Sequence, residues 1–130
     1  MLPALAPYVL YVEDDRINIV LMEEVFRQLP GWRLECAEDG AQALNLLSEG
    51  PPDLMLIDMN LPDMSGLDLL QKVLARTDAA AFPCIALSAD DWAEQVETAL
   101  QAGFKDYWLK PIDVTQLAAR LKSSIATDAV

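Results

Sequence analysis

The sequence predicts an α/β domain, a doubly wound parallel sheet of five strands with helices on both faces. Three observations carry this. Five short apolar runs alternate along the chain with five stretches of helical apolar spacing. Glycine and proline stand at most of the junctions between them. The central run, Leu54-Met55-Leu56-Ile57, is apolar at every position before it meets Asp58. That is the pattern of a strand covered on both faces. Strand and helix alternating in this way build a parallel sheet with right-handed crossovers.

The elements follow in order. Tyr8-Val9-Leu10-Tyr11-Val12 is the first strand and runs straight into Glu13-Asp14-Asp15. A helix is expected from Arg16 to Leu29, with Leu21, Met22, Val25, Phe26 and Leu29 inward and Pro30-Gly31 as its stop. Ile17, Ile19 and Val20 widen its apolar stripe beyond one sheet face, so part of this first turn is expected to be exposed. Trp32 to Ala37 alternates in polarity and reads as an edge strand. After Asp39-Gly40 comes a helix carrying Ala41, Ala43, Leu44, Leu46 and Leu47, ended by Gly50-Pro51-Pro52. The third strand is the run that ends at Asp58. Leu61-Pro62 and Ser65-Gly66 turn the chain away from it.

A third helix is expected from Leu67 to Arg76, with Leu67, Leu70, Val73 and Leu74 inward, and a loop over Thr77 to Ala81. Phe82 to Leu87 is the fourth strand, with Pro83 tolerated only near its start, and it ends in Ser88. The fourth helix spans Asp91 to Ala102, with Asp90 or Asp91 able to cap it and Gly103 as its C-terminal stop. Tyr107-Trp108-Leu109 is a short fifth strand ending in Lys110-Pro111. The last helix, Val114 to Ile125, has Asp113 as N-cap and Leu117, Ala118 and Leu121 inward. Thr127 to Val130 is expected to fray.

At 130 residues and 53% apolar, the chain is read as one domain, 1–130, with a core from about 8 to 125. No apolar run nears the roughly 20 residues that span a bilayer. Met1 to Pro7 lacks a basic segment and carries two prolines, so a secretion signal is not expected and a cytoplasmic location is. Cys36 and Cys84 lie in strand-like stretches and read as buried free thiols. The absence of histidine excludes His-based metal sites, His-based triads and a histidine phosphodonor within these residues. The net charge of −12 disfavours nucleic acid and anionic membranes as partners.

The strand ends carry the functional signal. Strand one ends in Glu13-Asp14, strand three in Asp58, strand four in Ser88 and strand five in Lys110. A parallel sheet brings all of these to one edge, where α/β proteins place their chemistry. Two carboxylates about 4 Å apart repel by roughly 4 kcal/mol at an effective dielectric near 20. Three of them facing one lysine call for a further cation. Oxygen-only donors suit Mg2+ (or Mn2+), which shares its ligands readily with a phosphoryl group.

In these residues the chain resembles the receiver domains of two-component response regulators, the chemotaxis-regulator type. The matching motifs are Val12-Glu13-Asp14-Asp15, the block from Asp58 to Gly66, Leu87-Ser88-Ala89 and Tyr107-Trp108-Leu109-Lys110-Pro111. They stand in the family's order and cover the chain from about Tyr8 to Ile125. The resemblance implies the flavodoxin-like strand order 2-1-3-4-5. It implies that Asp58 accepts a phosphoryl group from the phosphohistidine of a histidine kinase or histidine phosphotransfer protein. Asp14, Asp58 and the backbone carbonyl of Asn60 would hold Mg2+, with Glu13 acting directly or through water. Lys110 and Ser88 would bind phosphoryl oxygens, and Tyr107 would be the rotameric switch. Asp15 would stay outside the pocket, the Lys110-Pro111 bond would be cis, and Asn60 and Asp90 would flank the entrance and tune the phosphate's lifetime. One departure is the first acid, Glu rather than Asp, which adds reach.

Such a domain acts through switched protein contacts rather than as an enzyme, with self-catalysed phosphotransfer and dephosphorylation. The expected readout face is the fourth helix, fifth strand and fifth helix. The exposed first turn, Ile17 to Leu21, with the loop after Lys110, is the expected dock for the histidine donor. No effector motif follows within the 130 residues. Both a stand-alone regulator and the receiver of a hybrid kinase fit. The competing readings are a receiver-like interaction module that is never phosphorylated, an aspartate-nucleophile phosphatase and an FMN binder. The phosphatase needs a second aspartate where Asn60 stands. The FMN binder needs a glycine- and hydroxyl-rich loop where Glu13-Asp14-Asp15 stands.

Overall fold

The computed structural model describes residues 7–76 and 82–126. The expected Thr77–Ala81 loop and Thr127–Val130 tail lie outside these residues. Ten elements alternate along the chain: β1 (Tyr8–Val12), α1 (Arg16–Arg27), β2 (Arg33–Ala37), α2 (Gly40–Leu47), β3 (Leu54–Asp58), α3 (Gly66–Leu74), β4 (Cys84–Ser88), α4 (Ala93–Ala102), β5 (Asp106–Leu109) and α5 (Val114–Ala126). The strands form one sheet in the order β2-β1-β3-β4-β5, and every pairing is parallel. The order reverses between β1 and β3, which opens a crevice above their C-terminal ends.

The central strand explains why the sheet holds together. Every residue of β3 is buried, and its side chains alternate between two cores. Leu54 and Leu56 join Val9, Tyr11, Ile85 and Leu87 beneath α1 and α5. Met55 and Ile57 join Leu10, Val12 and Ala86 beneath the other helices. Full burial of such a side chain contributes about 2 kcal/mol, so β3 is anchored along its length and Asp58 at its end is held in place.

The helices show where spacing alone misjudged a face. On α1, Ile19, Met22, Val25 and Phe26 are buried, followed by Leu29 just past the helix. Leu21, expected inward, is exposed with Ile17 and Val20. The inward stripe starts from Ile19, so Leu21 falls on the solvent side with Ile17 and Val20. On α3 the buried set is Leu69, Leu70 and Val73, while Leu74 is exposed and Leu67 half-buried. α4 starts at Ala93, and its cap position is Trp92, which makes no side-chain cap bond. Neither Asp90 nor Asp91 takes that role. Asp113 does cap α5, its Oδ1 accepting from the Thr115 N–H at 3.0 Å. Both cysteines are free. Cys84 is buried, but Cys36 on the edge strand is half-exposed.

Gly66 is required by close approach. A Cβ there would lie 2.8 Å from the Met59 Cα and 2.9 Å from the Asp58 carbonyl oxygen, both backbone atoms that cannot swing away. Gly66→Ala is expected to destabilise the domain by about 2 kcal/mol through overpacking. A urea midpoint unchanged from the parent would contradict this.

Candidate functional site

Each strand end delivers its residue as the register dictates. Val12 pairs with Ile57 and Ala37, and the Glu13 N–H extends the ladder to the Ala37 carbonyl at 2.9 Å. Asp58 pairs with Leu87, which places Ser88 one residue further along β4. The Lys110 N–H reaches the Ser88 carbonyl at 2.8 Å. One edge of the sheet therefore collects Glu13, Asp14, Asp58, Ser88 and Lys110.

The ion pairs are short. Lys110 Nζ lies 2.9 Å from Glu13 Oε1 and 3.1 Å from Asp58 Oδ2. The other Asp58 oxygen, Oδ1, accepts from the Asn60 N–H at 3.1 Å. Glu13 is fully buried, Asp58 is 4% exposed and Asp14 is exposed. Carboxylate oxygens of Glu13, Asp14 and Asp58 all lie within 4.8 Å of one another. Burial pushes the Glu13 carboxyl above the usual range, the Asp58 carboxylate adds to this, and Lys110 opposes it. Burial alone would lower the Lys110 ammonium, but its pairs with Glu13 and Asp58 win and hold its pKa above the ordinary lysine value. The Lys110-Pro111 bond is cis.

The remaining residues sit on the β4 and β5 side. Ser88 is buried, and its Oγ accepts from the Asp90 N–H at 3.1 Å. Tyr107 is half-buried, and its hydroxyl donates to the Asp90 carbonyl at 2.6 Å. Both bonds end on the β4–α4 loop, so that loop links Ser88 to Tyr107. Asp15 caps α1, its Oδ1 accepting from the Ile17 N–H at 2.9 Å, and stays out of the acid cluster.

One contact went unread in the sequence. Tyr11 Oη donates to Glu13 Oε1 at 3.0 Å inside the core. The signal was present: residues two apart on a strand share a face.

The sequence pattern of the response regulator receiver domain family matches residues 9–122. The chain belongs to this family. The receiver domain is 35% identical over 114 residues to the transcriptional regulatory protein KdpE of Mycobacterium tuberculosis, covering 88% of this chain and 49% of that protein. It is 37% identical over 122 residues to the aerobic respiration control sensor protein ArcB of Escherichia coli, covering 93% of this chain and 15% of that one. The chain thus spans about half the length of the regulators it matches. Among solved structures, the receiver domain of a sensor histidine kinase from Pseudomonas aeruginosa PAO1, with a magnesium ion coordinated in its active site cleft, superposes with a TM-score of 0.82. That pair is 31% identical, covering 93% of this chain and 98% of the other. The fold, the strand order and a place in two-component signalling follow. Among the described residues, no helix of this receiver domain is long and apolar enough to cross a membrane.

Proposed function

We propose that this receiver domain takes a phosphoryl group from a phosphohistidine onto Asp58, and that the transfer switches a protein-binding face. The observation that carries the reading is Asp58 itself: a nearly buried carboxylate gripped by Lys110 and ringed by two further acids. The P–N bond of the phosphohistidine breaks as a P–O bond forms to an Asp58 carboxylate oxygen. The donor imidazole, protonated on its other nitrogen, leaves neutral.

The donor set fits Mg2+. It is all oxygen, and three carboxylates face one ammonium. One oxygen from each of Glu13, Asp14 and Asp58 lies within 4.8 Å of the others, the hard-donor setting that suits this ion. Asp14, Asp58 and the Asn60 carbonyl would hold the ion, with Glu13 acting directly or through water. When bound, Mg2+ supplies positive charge beside the transferring phosphoryl oxygens. The magnesium ion coordinated in the active site cleft of the Pseudomonas aeruginosa receiver domain supports a cation at the corresponding cleft here. Lys110 leaves its carboxylate partners for a phosphoryl oxygen. The Ser88 hydroxyl donates to another, which draws the β4–α4 loop inward and Tyr107 with it.

The readout face is the one that Tyr107 borders. A concavity of about 530 Å³ lies between β5 and α5, lined by Tyr107, Trp108, Leu109 and Arg120 among others. A shift of Tyr107 reshapes its wall, which suits a downstream protein partner. The donor docks on α1, where Ile17 is 71% and Val20 51% exposed beside the acid loop. Ile17→Ala combined with Val20→Ala should slow transfer from a phosphorylated histidine phosphotransfer protein about 10-fold. Phosphorylation by acetyl phosphate should be unaffected, and equal transfer from the protein donor would remove α1 from the docking surface.

The test of the central reading is incubation with acetyl phosphate and Mg2+, followed by intact mass. One phosphoryl adduct, released by hydroxylamine as an acyl phosphate is and absent when a chelator replaces Mg2+, is the expected result. No adduct, or one resistant to hydroxylamine, would overturn the reading.

A further inference from the structure

The Tyr11 hydroxyl lies inside the core beneath α1 and α5 and is aimed at Glu13. Tyr11 is fully buried among Val9, Leu56 and Leu87 and donates to Glu13 Oε1 at 3.0 Å. The same oxygen takes Lys110 Nζ at 2.9 Å and, more loosely, Asn18 Nδ2 at 3.5 Å. Among the described residues, the second oxygen, Oε2, takes the Asp15 N–H at 3.3 Å. One side of the Glu13 carboxylate is therefore tied down, and the other is lightly held. A phenol keeps its proton at neutral pH, so the group stays a donor.

The proposed transfer takes Lys110 away from Glu13. A fully buried carboxylate that loses its main donor is costly unless another remains. Tyr11 is that other donor. It also suits the departure at this position: a glutamate reaches one methylene further than an aspartate and so needs a hold that fixes its longer side chain.

Resting on the cation-site reading above, we infer that Tyr11 is a positioning residue that pins Glu13 Oε1 and aims Oε2 at the cation. It keeps Glu13 in place when Lys110 turns to the phosphoryl group. Tyr11 touches neither phosphoryl group nor ion; it acts through Glu13.

The experiment is a double-mutant cycle on the full chain, with Mg2+ affinity read from backbone amide shifts during titration without any phosphodonor. Tyr11→Phe, which removes one oxygen, should weaken Mg2+ binding about 10-fold, the scale for losing a hydrogen bond behind a metal ligand. In a Glu13→Asp background, where the shorter carboxylate no longer reaches the phenol, Tyr11→Phe should change the affinity less than about 2-fold. Thermal unfolding in chelator, run on all four proteins, reports the fold. A residue that only fills the core would shift the midpoint equally in both backgrounds and leave Mg2+ affinity alone. Unchanged affinity in Tyr11→Phe, or equal losses in the two backgrounds, would overturn the inference while a parent chain that binds Mg2+ leaves the site reading standing. A parent chain that binds no Mg2+ overturns both.

Discussion

Asp58→Asn is expected to yield no phosphoryl adduct from acetyl phosphate or from a phosphohistidine donor. The carboxamide nitrogen has its lone pair delocalised, and the carboxamide oxygen lacks the charge that attacks phosphorus, so the loss should be total rather than partial. The fold should survive it. Asparagine is nearly isosteric, its oxygen can still accept the Asn60 N–H, and the change relieves repulsion within the acid cluster. The metal-free variant is expected to unfold at an equal or higher temperature than the parent. Intact mass after incubation, with circular dichroism as the fold control, checks both statements. An adduct equal to that of the parent would move the acceptor to another residue.

Lys110→Ala is expected to have the second largest effect. Loss of a preorganised cation beside developing charge costs on the order of 100-fold in rate, and transfer from acetyl phosphate should fall by that amount. The variant also leaves Glu13 and Asp58 without their ammonium, the kind of unpaired buried charge that costs about 3 kcal/mol. The sign of the pH dependence follows from the shifts. The Lys110 pKa is raised, so its contribution is complete below the ordinary lysine range and is lost only as pH climbs above it. The Glu13 pKa is also raised, so the folded state favours its protonated form. The deficit of Lys110→Ala should therefore be largest near neutrality and shrink as acid protonates Glu13. Urea denaturation in chelator across that range measures it, and a deficit independent of pH would argue against the ion-pair account.

The architecture was readable because it is written in two simple patterns. An unbroken apolar run such as Leu54 to Ile57 has one stable home, the middle of a parallel sheet, and the polar residue that ends it must then lie on the rim. The same reasoning brings Glu13, Asp14, Asp58, Ser88 and Lys110 to one edge, where the strand registers put them. Choices among near-equivalent residues were harder to read. Ile19 and Leu21, or Leu69 and Leu74, are equally apolar, and only the exact rotation of the helix against the sheet decides which is covered. The α4 cap failed for a similar reason: two aspartates were available, and the loop geometry put Trp92 at the cap position. The Tyr11–Glu13 bond was hidden because a tyrosine in an apolar run passes for core filling until its hydroxyl is located.

The sheet separates the two cores along its whole width, with no side chain of β3 shared between them. A partition of this kind makes the two layers independent engineering targets. Improved packing under α1 and α5 should add to improved packing on the opposite side with little interference, because a backbone layer stands between the altered groups. Thermostabilised versions could thus be assembled layer by layer, with Tyr11 kept in place because it reaches the rim through Glu13.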